Sequence, residues 1–482
     1  MIKRIKELEK TARLLEPSIS DRRTVRSKVV NYTEDFLKQI EKIKTFTTVN
    51  GNGAGLLDSP VSDQPLGIEA ILNLLKHNVD TPGLNPASGG HLGYIPGGGI
   101  YYSALGDYMA DIFNRYAGIF FASPGAVRME NMLIDWMADL VDYPKTRAGN
   151  LTSGGSIANL IAIVTARDAY EIKAKDFEKT VIYLSEQAHH SVDKAIRISG
   201  MKECIKRYIP LDEKFRIIPD ELEKMIKSDR AKGLTPWLVI ASAGTTDTGA
   251  IDPLDSIGDM AKKYKLWYHI DGAYGGFFIL TDGAKKKLKG IEKSDSLVID
   301  PHKGLFLPYG LGVVIIKDKK KLQKSHYYQA NYMQDTLNSQ EELSPADLSP
   351  ELTKHFRGLR LWLPLKLLGL KPFKACLEEK LLLANYFHKK IQKLGFETGP
   401  APDLSVVTYR YIPKKGNADH FNKRLVEEVQ RDGRVFISST RLNGVFTLRF
   451  ACLSFRTHLQ TVDTLLEILD KKVKWLEKKR PQ

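Results

Sequence analysis

Four short stretches carry side chains suited to chemistry. The first is Ser296-Leu-Val-Ile-Asp-Pro-His-Lys-Gly-Leu-Phe-Leu-Pro308, where the apolar run Leu297–Ile299 predicts a buried strand that stops at Asp300-Pro301. Lys303 follows at once, between His302 and Gly304 and next to the apolar Leu305 and Phe306. An ammonium is costly to hold in such surroundings, so the pKa of this lysine should shift readily, a property used by lysines that form Schiff bases. A lone lysine in a loop is most often a surface residue, and it is the other three stretches that change this reading.

The second stretch is Trp267-Tyr-His-Ile-Asp-Gly-Ala-Tyr-Gly-Gly276, an apolar strand ending in Asp271 and then small residues. A lone Asp-Gly is commonly a turn. An aspartate ending one buried strand beside a lysine ending another, however, suits pyridoxal phosphate (PLP). The lysine binds the cofactor covalently and the carboxylate keeps its ring nitrogen protonated, so the ring accepts electrons. Ala273 would let the ring lie flat against the strand end. In the third stretch, Leu151-Thr-Ser-Gly-Gly-Ser-Ile-Ala-Asn159, glycines and hydroxyls precede a helical run to Arg167 and point backbone amides at an anion. It is neither a Walker loop nor a dinucleotide fingerprint. The fourth, Ala188-His-His-Ser-Val192, follows the strand-like Val181–Leu184 and places a histidine where it could stack on a cofactor ring.

In this order and spacing the four stretches resemble the group II pyridoxal-dependent decarboxylases, the family of aromatic-L-amino-acid decarboxylase. The resemblance implies that Lys303 attaches the cofactor, Asp271 partners its pyridine nitrogen, and His189 and Ala273 lie on opposite ring faces. It also implies that Gly155 and Ser156 form the phosphate loop, with His302 on the phosphate side and Thr246 near the ring. Tyr332 matches the catalytic-loop tyrosine that returns a proton to the substrate carbon. His91 and Tyr94, in the Gly- and Pro-rich stretch 81–99, match residues near the substrate, and Arg449 matches an arginine near a C-terminal strand. Some relatives have asparagine where this chain has Asp300, and an acid there would repel a phosphate.

The pattern that must position these residues alternates helix and strand from residue 100 to about 370, which predicts an α/β domain with a largely parallel sheet. Strands are expected at Val181–Leu184, Trp237–Ala241, Leu266–Ile270, Leu297–Ile299 and Val313–Ile316, with the candidate ligands just beyond their ends. The resemblance implies the type I PLP-dependent fold, like aspartate aminotransferase. The expected division is a helical N-terminal segment with the substrate-side loop (1–99), a large PLP-binding domain (100–372) and a small C-terminal α/β domain (373–482). The last should carry strands at Ser405–Tyr411, Arg434–Ser438 and Val445–Phe450 and a helix at Val462–Leu476. Val25, Val29, Tyr32, Phe36 and Ile40 form an apolar stripe on an N-terminal helix that Asp21 could cap. In the family this segment packs on a second subunit, so a homodimer is expected. Lys324–Pro350 reads as a long mobile loop.

The chain has 482 residues, 43% hydrophobic and 27% charged, a composition of folded rather than disordered chains. No apolar run approaches the roughly 18 residues of a membrane span, and no apolar segment of a secretory signal follows the basic N-terminus. The net charge of +15 is spread among acids except at Lys285–Lys287, Lys317–Lys321 and the tail from Lys471, so solvated faces rather than a nucleic-acid or membrane surface are expected. The three cysteines, Cys204, Cys376 and Cys452, lack metal spacing and suit a cytoplasmic setting. The expected function is PLP-dependent removal of the α-carboxylate from an L-amino acid, with an aromatic substrate favoured and no metal. The same apparatus could serve a carbon–carbon lyase or an aldehyde synthase. A silent relative that only binds anionic partners would have no need of the Lys303, Asp271 and His189 set.

Overall fold

The computed structural model describes residues 1–49, 51–327 and 342–478. Its strands, in chain order, are β1 Phe46–Thr47, β2 Gly83–Leu84, β3 Ala148–Thr152, β4 Thr180–Leu184, β5 Ile205–Tyr208, β6 Thr235–Ser242, β7 Trp267–Asp271, β8 Ser296–Ile299, β9 Gly312–Ile316, β10 Phe396–Thr398, β11 Val406–Tyr411, β12 Ser438–Leu442 and β13 Val445–Ala451. Seven of them form the central sheet, in the order β3-β9-β8-β7-β6-β4-β5. Neighbours from β8 to β5 pair in parallel, whereas β9 runs antiparallel to both β8 and β3.

Successive residues of these strands bury on opposite faces, as the pleat requires. In β9, Val313 and Ile315 join one hydrophobic cluster while Val314 and Ile316 join the other. Helices cover both faces, which is why β4, β7, β8 and β9 are buried along their whole length and read as near-continuous apolar runs. Each such Val or Ile contributes roughly 1.5–3 kcal/mol on burial. The expected mostly parallel sheet is therefore present, with one antiparallel strand inserted.

Helices α1 (Ile2–Ala12) and α2 (Ile19–Gln39) come first, then α3 (Ile68–Leu75), α4 (Tyr101–Phe113), α5 (Pro124–Leu140), α6 (Gly155–Ala169) and α7 (His190–Ile198). Neither α1 nor α2 contains a buried residue. The cap of α2 is Ser18, whose hydroxyl accepts from the Asp21 amide at 3.1 Å, so Asp21 lies inside the first turn instead of capping it. Lys319–His326 is a helix and Pro345–Leu348 a short 3-10 turn; the rest of the expected loop falls largely outside the described residues.

The C-terminal sheet is antiparallel, in the order β10-β11-β13-β12, and shares a separate hydrophobic cluster with the helices Lys371–Lys393, Ala418–Asp432 and Leu459–Lys478. The strand expected at Arg434–Ser438 begins only at Ser438. Residues before it pair elsewhere: Phe436 N–H donates to Gly90 at 2.9 Å, and Phe436 accepts from Leu92 N–H at 2.9 Å. Leu92 also accepts from Ala451 N–H at 2.8 Å, so the segment following β2 is laced into the C-terminal unit. A few residues later the same segment reaches the Lys303 turn. Gly98 N–H donates to Leu307 at 2.8 Å and Ile100 N–H to Phe306 at 3.1 Å.

Candidate active site

Strands β3, β4, β6, β7 and β8 all point the same way, so their carboxyl ends gather on one rim of the sheet, where α/β folds bind ligands. A cavity of about 430 Å³ opens there. Its lining includes Gly155 and Ser156 after β3, His189 after β4, Thr246 after β6, Asp271 and Ala273 at the end of β7, and His302 and Lys303 after β8. Residues far apart in the chain thus meet in one place.

One end of the cavity offers groups that suit an anion, and the Asp300 carboxylate that also lines it is paired with Lys303. Helix α6 starts at Gly155 with no side chain capping its first turn, and while the Ile157 and Ala158 amides donate to the Gly154 carbonyl, those of Gly155 and Ser156 and the positive end of the dipole face a ligand. A side chain would crowd this point: a Cβ on Gly155 would lie 2.9 Å from Asp300 Oδ2 and 3.3 Å from the Ala273 Cβ. A Cβ on Gly312, at the start of β9, would lie 2.4 Å from the Gly154 carbonyl carbon. The Nδ1 of His302 is 2.5 Å from the Leu311 carbonyl, which can only accept, so that nitrogen carries the proton. Burial lowers the His302 pKa and favours the neutral ring.

Lys303 sits on a short helix, Pro301–Gly304, rather than in an open turn. Its Nζ is 3.0 Å from Oδ2 of Asp300, a carboxylate that is 1% exposed. Burial alone would lower the Lys303 pKa, as the apolar neighbours suggested. The charges of Asp300 and then Asp271 outweigh it, and the pKa is raised.

Asp271 is buried, with Oδ1 accepting from the Ala273 amide at 3.1 Å and Oδ2 from Asn159 Nδ2 at 3.1 Å. Ser191 Oγ approaches His189 Nδ1 to 2.7 Å, and burial lowers the His189 pKa. The Thr246 loop is fastened from behind by Arg449, whose guanidinium donates to the Thr246 carbonyl and, at 3.0 Å, to that of Asp247.

The structure does not bring His91 and Tyr94 to the lining of this cavity. His91 is buried and stacks on Phe436, and burial lowers its pKa to about 4; Tyr94 is half exposed beside the same ring. The hydrogen bonds that lace residues 90–92 to Phe436 hold both there. Tyr332 lies outside the described residues. Asn159, Ser191 and Gln187 line the cavity although their types alone did not single them out. Asn159 had a signal: it is polar in an apolar helix, one turn after Gly155.

The donor set fits PLP. It offers an uncapped helix end and a glycine cradle for a phosphate, a lysine for the aldehyde, and a buried carboxylate for a ring nitrogen. Comparison with known proteins agrees. The model of the pyridoxal-dependent decarboxylase conserved domain matches residues 52–412. The aromatic-L-amino-acid decarboxylase of Bacillus atrophaeus is 34% identical over 407 residues, 83% of this chain and 84% of that protein. The phenylacetaldehyde synthase of Petunia hybrida is 30% identical over 466 residues, 92% of each chain. The crystal structure of Oryza sativa TDC with PLP and tryptamine superposes with a TM-score of 0.90 at 24% identity, over 96% of this chain and 99% of that one.

Proposed function

Since this chain belongs to the pyridoxal-dependent decarboxylase family, has its type I fold and is a PLP-dependent amino-acid decarboxylase, we propose that its substrate is an aromatic L-amino acid, converted to the amine and carbon dioxide. Support for the substrate class comes from the Bacillus atrophaeus relative, an aromatic-L-amino-acid decarboxylase. The observation that carries the site assignment is the convergence of Lys303, Asp271, His189 and the uncapped start of α6 on one cavity.

On this reading Gly155, Ser156 and His302 hold the phosphate, Lys303 binds the aldehyde carbon, Asp271 faces the ring nitrogen, and His189 and Ala273 flank the ring. Bound there, the cofactor supplies an electron sink for the pair left behind when the carboxylate departs. The chain's own contribution is electrostatic and positional. Asp271 holds a proton at the ring nitrogen from a water-poor strand end, where a carboxylate acts more strongly than in water. The neutral His189 presents a flat ring and adds no positive charge. Arg449 fixes the Thr246 loop from outside the cavity. Whenever Lys303 is not joined to the cofactor, it would sit beside Asp300 and hold a proton there.

The protein acts as a homodimer on the same reading. Ile2, Ile5, Leu8, Val25 and Val30 are exposed on α1 and α2, which bury nothing in one chain and need a partner surface to be held. We assign it to the cytoplasm. Its three cysteines are unpaired, and among the described residues no helix is long and apolar enough to cross a membrane. The division into 1–99, 100–372 and 373–482 is proposed: α1 and α2 bury nothing, and, Leu92 apart, the cluster around the C-terminal sheet is drawn from residues 383–476 and is separate from those on the central sheet.

The test is incubation of the PLP-loaded protein with each of the twenty amino acids, following carbon dioxide and identifying the organic product. Amine from tyrosine, tryptophan or phenylalanine is expected. Aldehyde plus ammonia would instead place the chain with the Petunia enzyme's chemistry, and release only from a non-aromatic amino acid would refute the substrate class.

A further inference from the structure

Behind Asp271 runs a buried polar chain in which each hydrogen has a forced direction. The indole N–H of Trp267 reaches Ser296 Oγ at 2.8 Å, and that oxygen is 2.8 Å from His269 Nδ1. His269 Nε2 is 2.9 Å from Asn159 Oδ1. Asn159 Nδ2 is 3.1 Å from both Asp271 Oδ2 and Ser191 Oγ. Ser191 Oγ is 2.7 Å from His189 Nδ1. Trp267, Ser296, His269, Asn159, Ser191 and Asp271 are all at least nine-tenths buried, so water does not substitute for any of these partners.

A carboxylate only accepts, so Asn159 must turn its amide nitrogen to Asp271 and its carbonyl to His269. His269 therefore donates from Nε2. Burial lowers its pKa to about 4 against the opposing charge of Asp271, so the ring is neutral and Nδ1 accepts. Ser296 supplies that hydrogen while its own oxygen accepts from the indole. At the other end Ser191 accepts from Asn159 and gives its hydrogen to His189 Nδ1, leaving the proton of His189 on Nε2. The tautomer of His269 and the orientation of one carboxylate are thus set by a single amide, while His189 Nδ1 is held as an acceptor by the Ser191 backbone N–H at 3.3 Å as well.

We propose that Asn159, held in place by His269, is a positioning residue that locks the Asp271 carboxylate toward the cofactor's ring nitrogen. This rests on the reading of Asp271 as partner of that nitrogen. The Ala273 amide and Asn159 grip one carboxylate oxygen each, which prevents the group from rotating and leaves a lone pair on each oxygen for the ligand. Removing Asn159 would strand Oδ2 without a partner in a buried position.

The experiment uses the full chain loaded with PLP isotope-labelled at the ring nitrogen. Cofactor affinity is read by absorbance titration and ring-nitrogen protonation by its NMR shift. Asn159→Leu is expected to weaken binding by about 10- to 100-fold, the usual penalty for losing a hydrogen bond to a charged group, and to move the resonance toward neutral pyridine. His269→Leu should do the same. His269→Gln keeps a donor for Asn159 Oδ1 and should stay within about threefold of the parent. An unchanged resonance in Asn159→Leu overturns the proposal, whether or not affinity falls, because a purely structural role would lower affinity alone. If Asn159→Leu does not fold, the His269 pair decides, and equal behaviour of its two variants overturns the proposal. An unprotonated ring nitrogen in the parent refutes the role of Asp271 itself, and the proposal falls with it.

Discussion

The Lys303 ammonium lies 3.0 Å from Oδ2 of Asp300, three residues earlier on the same turn, and this pairing raises the lysine's pKa where burial alone would lower it. A lysine must lose its proton before it can attack an aldehyde. In cofactor-free protein, PLP attachment should therefore accelerate with rising pH, by about tenfold per unit while the ammonium predominates. Asp300→Asn removes the largest of the charges that raise the pKa, so its profile should move to lower pH and its attachment at a fixed, mildly alkaline pH should be faster. Stopped-flow absorbance checks this. The same pair ties stability to pH. Because the folded pKa is the higher one, its contribution is complete below the ordinary lysine value and is lost as pH rises through the folded value.

Lys303→Ala should bind PLP without joining it covalently. After borohydride treatment the parent's mass rises by one cofactor and the variant's does not. Turnover should fall by more than about 100-fold, since a positioned proton-handling group is lost along with the covalent attachment.

Gly312→Ala would place a methyl 2.4 Å from the Gly154 carbonyl carbon and 2.7 Å from Asp300 Oδ1. Backbone cannot yield as a flexible side chain does. The expected cost is about 1–3 kcal/mol of stability, seen as a lowered Tm, together with weaker cofactor binding. Gly125→Ala, whose Cβ meets nothing within 4 Å, is the control and should leave both unchanged or slightly improved.

Behind β3, Lys354 and Glu130 form an ion pair at 2.9 Å with both side chains fully buried. Lys354 also donates to Asn150 Oδ1 at 2.8 Å and to the Leu151 carbonyl at 3.1 Å, and Glu130 accepts from Gly358 N–H at 3.0 Å. Lys354→Met leaves a buried carboxylate without its counter-charge and should cost about 3–5 kcal/mol in chemical denaturation. Glu130→Gln combined with Lys354→Met should recover part of that loss, because the amide still accepts from Gly358.

The strands that carry the site were legible because burial on both faces makes them continuous apolar runs, and each candidate ligand followed one immediately. The Lys303 pKa was not. Leu305 and Phe306 beside it in sequence are apolar, and the two carboxylates that decide the outcome come against its ammonium only through a turn of helix and an adjacent strand. His269 and Asn159 were available in principle. His269 shares a strand face with Asp271, two residues away, and Asn159 shares a helix face with Gly155, one turn away. Reading each motif singly hid the fact that these two faces meet. Val435, Phe436 and Ile437 looked like a strand because they are apolar and buried. The Phe436 backbone instead partners Gly90 and Leu92, a contact that no local pattern announces.

Those partnerships make residues 92–100 a tether. One end is knotted into the C-terminal sheet through Leu92, and the other is fastened to the peptide just after Lys303 through Gly98 and Ile100. Fully stretched, such a segment spans no more than about 30 Å, at roughly 3.3–3.6 Å per residue. The C-terminal unit therefore cannot swing away from the central sheet without tugging on the lysine's own turn. A shortened protein ending before β10 would lose more than its last unit. The lysine would survive in the sequence, but its turn would be unmoored.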